Sequence, residues 1–282
     1  MLLQYLLPKQ ALTVLAGRLA SARAGWLTTS LIRWFVQQYA VDMTQAAEPD
    51  IAEYRTFNDF FTRSLKPGAR PLAEAGLVCP VDGAVSQCGA IDGDRIFQAK
   101  GHSYSTAALV GGDAALAAQF TDGSFATVYL SPKDYHRIHM PCSGRLRRML
   151  HIPGDLFSVN PATARSLPGL FARNERVVCL FDGERGPFVL VLVGATIVGS
   201  MAMVWHGAVN PPRPGTVREW DYAERNITLA KGDEMGRFLL GSTVVLLFPA
   251  GQVALDARWT ADLPVCMGQR MGEFVSADSA HT

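Results

Sequence analysis

Residues 177–198 read VVCLFDGERGPFVLVLVGATIV, and this run indicates the class of fold. Two apolar segments, Val177–Phe181 and Phe188–Val198, flank the pair Asp182-Gly183, which favours a turn. Further apolar runs and Asp-Gly pairs occur on both sides: Phe125–Leu130, Val244–Phe248, Asp82-Gly83, Asp92-Gly93 and Asp122-Gly123. The pattern predicts a β-rich, mainly antiparallel domain over residues 67–282, in a fold of the α+β class.

The composition excludes several classes of protein. Of the 282 residues, 49% are hydrophobic and 18% are charged, against about 25% charged in a typical domain, so a disordered chain is excluded. A formal net charge of +1 provides no global field, so no nucleic-acid partner is expected. Five widely spaced cysteines without a Cys-x-x-Cys pair predict neither a disulfide framework nor a thiolate zinc site.

Residues 1–66 are predicted to form a helical region with a local positive charge. Through residue 47, four cations and one acid give a net charge of +3 (4 less 1): Lys9, Arg18, Arg23, Arg33 and Asp42. Apolar residues recur there at helical spacing: Leu12, Leu15, Ala16, Leu19, Leu27, Leu31, Trp34 and Phe35. Basic amphipathic helices of this kind lie on an anionic membrane or pack against their own domain, and the pattern alone leaves both open.

Two more features of this region are predicted. Charged residues interrupt every apolar run before about 18 such residues accumulate, so no membrane-spanning helix is expected. A further helical stretch is predicted over Tyr54–Arg63, ending before the breakers Pro67-Gly68 and Arg70-Pro71.

Two histidines follow directly on the predicted strand Phe125–Leu130. His136 and His139 lie within Ser131–Pro141, and imidazoles at a strand end suit general acid–base chemistry near neutral pH. Taken alone, however, the pair fits a structural role better, in which the rings satisfy loop carbonyls. His-x-x-His without further ligands does not predict a metal site.

Two other positions can carry chemistry. Asp82, in Cys79-Pro80-Val81-Asp82-Gly83, can orient a histidine as the carboxylate of a triad does, although an Asp-Gly turn also explains it. The bond between Gly241 and Ser242 places a hydroxyl beside an unshielded carbonyl, which suits attack by Ser242 on its own chain, although a plain strand or turn is equally compatible.

Together these segments resemble the bacterial phosphatidylserine decarboxylase proenzymes, in order and over nearly all of the chain from residue 54. Cys79 stands where the family often has serine, and the N-terminal segment matches in character more than in residues. The resemblance rests on these stretches: Tyr54–Arg63, Cys79–Gly83, Tyr129–Pro141, Pro153–Asn160, Leu170–Val177, Gly194–Ser200, Lys231–Phe238 and Gly241–Thr243.

The resemblance implies an enzyme that makes a pyruvoyl cofactor from its own backbone. Ser242 attacks the Gly241 carbonyl, and cleavage leaves a β chain of residues 1–241 and an α chain of residues 242–282 that begins with the pyruvoyl group. Asp82, His139 and Ser242 correspond to the family's self-cleavage triad, with His139 as the base and Asp82 holding its tautomer. The covalent pyruvoyl at Ser242 then forms a Schiff base with the substrate amine, and His136 holds the substrate carboxylate or delivers a proton.

The resemblance also implies where and with what the enzyme works. Its substrate is phosphatidylserine in a membrane, its product phosphatidylethanolamine, and its place is the cytoplasmic face of the cell membrane as a peripheral protein. Each β chain partners its own α chain, and a homodimer of the processed pair is left open.

Three other functions stay open on the sequence. A lipid-directed serine hydrolase would use Asp82, His139 and Ser242 without chain cleavage, although no Gly-x-Ser-x-Gly elbow is present. A non-enzymatic membrane adaptor would not need these three residues. A pyruvoyl enzyme with another amino-acid substrate is the third.

Overall fold

The chain folds into short helices followed by antiparallel sheets. The structure, a computed structural model, describes residues 9–196, 200–211, 213, 215–239 and 243–275. Its α-helices are α1 Lys9–Ala20, α2 Trp26–Tyr39, α3 Phe57–Phe61, α4 Thr106–Leu109, α5 Ala114–Ala118, α6 Pro161–Ala164 and α7 Leu170–Arg173. Its strands up to residue 193 are β1 Leu77–Val78, β2 Gly83–Ala90, β3 Arg95–Ala99, β4 His102–Ser105, β5 Ser124–Tyr129, β6 Arg137–His139, β7 Gly144–Ile152, β8 Arg176–Gly183 and β9 Gly186–Val193. The later strands are β10 Met201–Met203, β11 Gly207–Ala208, β12 Arg218–Asp221, β13 Thr228–Leu229, β14 Glu234–Phe238, β15 Thr243–Phe248, β16 Val253–Leu255, β17 Pro264–Val265 and β18 Arg270–Phe274.

One large sheet carries most of the strands, in the order β12-β7-β8-β9-β15-β5-β2-β17, with β13 also paired to β7. Smaller sheets are β11-β10-β14-β6, β1-β18-β16 and the hairpin β3-β4. The ladders within these sheets are antiparallel. The predicted β-rich, mainly antiparallel fold is therefore confirmed.

Apolar residues cover both faces of the large sheet, which explains its uninterrupted apolar strands. Successive side chains of a strand point to opposite faces. In β15, Val244, Leu246 and Phe248 join one core, whereas Val245 and Leu247 join a second core that the short helices complete. Strand β9 divides in the same way between the two cores. Such strands read as continuous apolar runs because neither face meets water.

The opening run of the sequence forms the hairpin β8–β9. The two strands pair from Arg176↔Val193 to Gly183↔Gly186, so the chain reverses through Glu184-Arg185. The predicted turn thus lies two residues further along the chain, and Asp182-Gly183 forms the paired end of β8. The five cysteines are free thiols.

The N-terminal helices bury little of their apolar surface. Ile32 of α2 is fully buried with the aromatic residues of α3, but Leu19 is 64% exposed and Trp26 is 74% exposed. The other large exposed side chains of α1 and α2 are Leu12, Val14, Leu15, Leu27, Leu31, Trp34 and Tyr39. The residues that set the predicted apolar face therefore mostly face outward instead of packing on the domain. Among the described residues, no helix is long and apolar enough to cross a bilayer.

The predicted helix over Tyr54–Arg63 is shorter than expected. Only Phe57–Phe61 is helical, because Thr56 ends the preceding extended chain and its side chain accepts a hydrogen bond from the Asp59 N–H, while Asp59 accepts from the Thr56 N–H. This capping box fixes the start of α3 at Phe57. The boundary at residue 66 between helical region and β-rich domain stays a prediction.

Candidate active site

Three adjacent strands of the large sheet meet at the edge where the site lies. Tyr129, the last residue of β5, pairs with Ala84 of β2 on one side and with Thr243 of β15 on the other. Because both ladders are antiparallel, β2 and β15 begin at the edge where β5 ends. Asp82 lies just before β2, and Ser242 lies just before β15 in the chain. The fold thus brings the start of these two strands to one edge.

His139 reaches the same edge from the neighbouring small sheet. It ends β6, and its N–H donates to the carbonyl of Pro80 at 2.8 Å, two residues before Asp82. It also pairs in register with Glu234 of β14, the strand that leads toward the proposed cleavage site. His139 and Asp82, far apart in the chain, are therefore held by adjacent backbone segments.

The hydrogen bonds of His139 define its tautomer. Its Nδ1 lies 2.8 Å from the carbonyl oxygen of Gly232, which can only accept, so Nδ1 carries the proton. Its Nε2 lies 3.0 Å from the Tyr135 hydroxyl and accepts from it. Burial lowers the pKa of His139, although the Gly232 carbonyl opposes that shift. The ring is therefore a neutral imidazole whose Nε2 can act as a base.

In this structure the hydrogen-bond partners of Asp82 are Arg70 and Met267 rather than His139. Its carboxylate accepts from Arg70 Nε at 2.9 Å and from the Met267 N–H at 2.8 Å, and it also forms an ion pair with the terminal nitrogen of Arg70. A guanidinium offers a carboxylate a stronger, forked pairing than an imidazole does. The Gly232 carbonyl, not Asp82, holds the His139 tautomer in this structure.

His136 lies apart from this cluster, in the core. It is fully buried and stacks on Phe61 of α3, with ring centroids 4.0 Å apart and planes 12° apart. Burial lowers the pKa of His136 to about 3, and the nearby charge of Arg63 acts in the same direction. The ring is therefore neutral in this structure, and its predicted role toward the substrate stays a prediction.

Gly241 and Ser242, the predicted cleavage site, lie outside the described residues. Their described neighbours are ordered by hydrogen bonds: the Leu239 N–H donates to the Ser200 carbonyl at 3.0 Å, and Thr243 pairs with both Tyr129 and Val193. The arrangement of the three side chains of Asp82, His139 and Ser242 as a triad therefore stays a prediction.

Comparison with known proteins assigns the chain to a family. A family model described as phosphatidylserine decarboxylase matches residues 57–273. The chain belongs to the phosphatidylserine decarboxylase family. A second model, described as PSD, matches residues 1–40, which cover α1 and α2.

Individual relatives agree with the phosphatidylserine decarboxylase assignment. Phosphatidylserine decarboxylase proenzymes from Dechloromonas aromatica and Acidovorax ebreus are 70% and 72% identical to the chain, each over 95% of both sequences. One from Methylibium petroleiphilum is 72% identical over 96% of this chain and 95% of its own length. The resemblance seen in the motifs, and the expectation of an enzyme of this family, are confirmed.

In this phosphatidylserine decarboxylase fold, three residues around the pair Asp82 and His139 were missed by the sequence analysis. They are Tyr135, Gly232 and Arg70. Burial raises the pKa of Tyr135 to about 12, so its hydroxyl stays a donor to His139. Tyr135 lies four residues before His139, but nothing in that spacing identifies a partner. Gly232 and Arg70 act from distant segments, so only the fold reveals them.

Proposed function

We propose that the chain cuts itself between Gly241 and Ser242 and then decarboxylates phosphatidylserine, with a pyruvoyl group derived from Ser242. The products are phosphatidylethanolamine and carbon dioxide, formed by a peripheral protein at the cytoplasmic face of the membrane. The observation that carries the proposal is the meeting of three chain segments at one sheet edge: the start of β2 after Asp82, the end of β6 at His139, and the start of β15 after Ser242.

In the cleavage step, His139 Nε2 accepts the proton of the Ser242 hydroxyl. The Ser242 oxygen attacks the Gly241 carbonyl carbon, the C–N bond breaks, and the nitrogen takes up a proton, so that an ester replaces the amide. Loss of the Cα proton of Ser242 then expels the Gly241 carboxylate and ends the β chain at residue 241. The dehydroalanine that remains takes up water and releases ammonia.

Asp82 supports this step through its charge. Its carboxylate favours the protonated form of His139, which opposes the effect of burial on the pKa of that ring. Arg70 and the Met267 N–H keep the carboxylate oriented at the start of β2. Asp82 is therefore proposed to stabilise the imidazolium that forms when His139 takes the serine proton, without a hydrogen bond between them.

The residues beside the site fit a pyruvoyl group. Thr243 Oγ1 is buried and makes no hydrogen bond to any residue within the described ranges, so its hydroxyl is available to a carbonyl of the adjacent group. When present, the pyruvoyl group accepts the electron pair left on Cα as carbon dioxide departs, which no ordinary side chain can do. His136 is proposed to return a proton to Cα or to bind the substrate carboxylate.

Intact-protein mass spectrometry of the purified chain tests the proposal. We expect a fragment of 41 residues (282 less 241) whose mass is one ammonia below that of the same peptide with an N-terminal serine. Ser242→Ala should leave a single inactive chain, and Asp82→Asn and His139→Ala should block or greatly slow cleavage. His136→Gln should mature normally yet decarboxylate poorly.

Other results would point elsewhere. An uncut wild-type chain that hydrolyses lipid esters would favour the serine hydrolase, and an uncut chain without activity would favour the membrane adaptor. A cut chain with the ammonia deficit that ignores phosphatidylserine would favour another amino-acid substrate. Co-purification of both fragments tests the association of β and α chains, and light scattering tests the homodimer.

A further inference from the structure

A cavity of about 440 Å³ lies between the N-terminal helix α1 and the segment that precedes the cleavage site. One wall comes from α1 and the residue after it, and the opposite wall from the loop after β11 and from the end of β14. The residues that matter for its chemistry are Arg18, Ser21, Ser200, Arg213 and Leu239. The cavity therefore spans from the helix with the exposed apolar side chains to the neighbourhood of Ser242.

The position of Leu239 links the cavity to the reaction site. Leu239 lines the cavity and precedes Ser242 by only three residues, a span of at most about 11 Å in extended chain. In phosphatidylserine the phosphate lies a few bonds from the amine that reacts. A headgroup whose amine reaches Ser242 can thus place its phosphate in this cavity.

Arg213 is held rigidly at the cavity wall. Its Nε donates to Glu175 Oε2 at 2.8 Å, and the other oxygen of Glu175 accepts from His151 Nε2 at 2.8 Å. Glu175 and His151 are buried, whereas Arg213 keeps 16% of its side chain exposed. The hydrogen bonds from His151 and Arg213 lower the pKa of Glu175 against the opposing effect of burial, so Glu175 is a carboxylate that anchors the guanidinium.

The charge around the cavity favours an anion. Two guanidinium groups, those of Arg18 and Arg213, line the cavity. With the carboxylate of Glu175, which pairs with Arg213, the three groups sum to +1 (2 less 1). The described residues that line the cavity include no aspartate or glutamate.

A second cavity near Asp82 is a weaker candidate for an anion. It measures about 500 Å³ and is balanced in charge, with three cationic and three acidic side chains: Arg63, Arg70, Lys133, Asp42, Asp82 and Asp134. Two of these, Arg70 and Asp82, already pair with each other. An anionic headgroup gains less there than beside Arg213.

We propose that Arg213 binds the phosphodiester of the lipid headgroup in the cavity between α1 and Leu239. The inference rests on the proposed function, because it takes phosphatidylserine as the substrate. A guanidinium pairs with two phosphate oxygens at once. The phosphate keeps its charge throughout the reaction, whereas a cation on the carboxylate would stabilise the ground state that must lose carbon dioxide. Arg213 is thus a binding residue for the group that does not react.

Inhibition of the mature enzyme tests the role of Arg213. Vesicles of phosphatidylserine in phosphatidylethanolamine serve as substrate, and the inhibitors are sn-glycerol 3-phosphate, inorganic phosphate and O-methylserine. In Arg213→Gln we expect the inhibition constant of glycerol 3-phosphate and the KM for phosphatidylserine to rise about 10- to 100-fold, the usual range for a lost charged hydrogen bond. The inhibition constant of O-methylserine, which has carboxylate and amine but no phosphate, should stay within about twofold of wild type.

Matched variants exclude a general loss of structure. Arg213→Lys keeps the positive charge but cannot pair with two phosphate oxygens at once. Its inhibition constant for glycerol 3-phosphate and its KM should therefore lie between those of wild type and Arg213→Gln. Arg95→Gln removes an exposed arginine of the β3–β4 hairpin, which pairs with Asp92, and should match wild type in all readouts. If Arg213→Gln does not mature, Arg213→Lys and the wild-type inhibition constants decide the question.

Several outcomes would overturn the proposal. The first is that glycerol 3-phosphate does not inhibit the wild-type enzyme, and the second is that inorganic phosphate alone inhibits it. The third is that Arg213→Gln raises the inhibition constant of O-methylserine as much as that of glycerol 3-phosphate, which would place Arg213 at the substrate carboxylate or give it a purely structural role. A failure of the proposed function is distinct, because wild type would then lack the ammonia-deficient fragment or would not decarboxylate phosphatidylserine.

Discussion

His139 shows how a single side chain is prepared for one task. A carbonyl oxygen at Nδ1 and a protonated tyrosine at Nε2 leave the ring neutral, and burial keeps it so. A base that is already unprotonated at neutral pH can take the Ser242 proton without first losing its own. Asp82, which the triad order suggests as the partner of this ring, instead pairs with Arg70.

His136 makes stability depend on pH. In the folded chain its pKa is about 3, below the 6.5 of an unfolded histidine, so between these values the unfolded state binds more protons. The contribution of His136 to the free energy of unfolding is therefore fully present above about pH 6.5. As the pH is lowered it decreases by up to about 1.4 kcal/mol per pH unit. We expect His136→Gln to flatten this slope between pH 4 and 6, measured by urea unfolding in the uncleaved Ser242→Ala background.

The matched control is Gln119→Ala, at an exposed residue without a titratable group, which should leave the slope unchanged. A slope that His136→Gln does not alter would contradict the neutral, buried state of the His136 ring.

At the scale of elements, the start of β2 is tightly constrained. A Cβ on Gly83 would lie 2.2 Å from the backbone carbonyl oxygen of Tyr129, and neither backbone can yield as a flexible side chain would. Gly83 directly follows Asp82, and Tyr129 pairs with Thr243. A side chain at residue 83 would therefore push β2 away from β5 and separate Asp82 from the start of β15.

Gly83→Ala should lower stability by about 1–3 kcal/mol and slow self-cleavage of the folded chain by at least ~10-fold. Gly123→Ala is the matched control, because its Cβ would lie 2.1 Å from the Phe248 carbonyl oxygen, at the opposite end of β5 and on its β15 side. It should cost similar stability while the folded fraction cleaves at the wild-type rate. Urea unfolding in the Ser242→Ala background and a time course of cleavage measure the two effects. Equal cleavage rates in both variants would show that the register at Tyr129 does not control the site.

At the scale of the molecule, helix α1 has two roles in the arrangement of the surface. It carries exposed apolar side chains, and it also forms one wall of the cavity beside Arg213. Leu15 and Leu19 are 55% and 64% exposed, while Thr13, Val14 and Arg18 of the same helix line the cavity. A lipid can then keep its acyl chains in the bilayer while its headgroup enters beside α1. Under the proposed function, the basic, apolar N-terminal region thus serves substrate access.

Replacing Leu15, Leu19 and Trp26 together by serine should weaken binding to vesicles of phosphatidylethanolamine and phosphatidylglycerol by at least ~100-fold. Each exposed apolar side chain that enters the membrane interface contributes up to about 1.5–3 kcal/mol to binding. Because these side chains are exposed in the folded chain, replacing them costs little folding stability. Co-sedimentation with vesicles measures the binding. Phe97→Ser combined with Val217→Ser, at two exposed apolar residues outside the helices, is the control and should bind as wild type does. Unchanged binding by the triple variant would mean that another surface contacts the membrane.

The sequence by itself determined the class of fold and the family. The apolar runs that form β9 and β15, the turn signal close to the β8–β9 reversal, and long ordered motifs are local features, so neighbouring residues suffice to identify them. The same holds for the helical spacing in α1 and α2, although spacing could not say which side faces outward.

Tertiary structure decided the partners of each side chain. Gly232 at His139, Arg70 at Asp82, and Glu175 at Arg213 come together only because the fold brings distant segments of the chain into contact. Burial had the same origin: the neutral ring of His136 depends on Phe61 of a distant helix. Hydrogen bonds and desolvation act over a few ångströms in space, and such distances are set by the fold as a whole rather than by spacing along the chain.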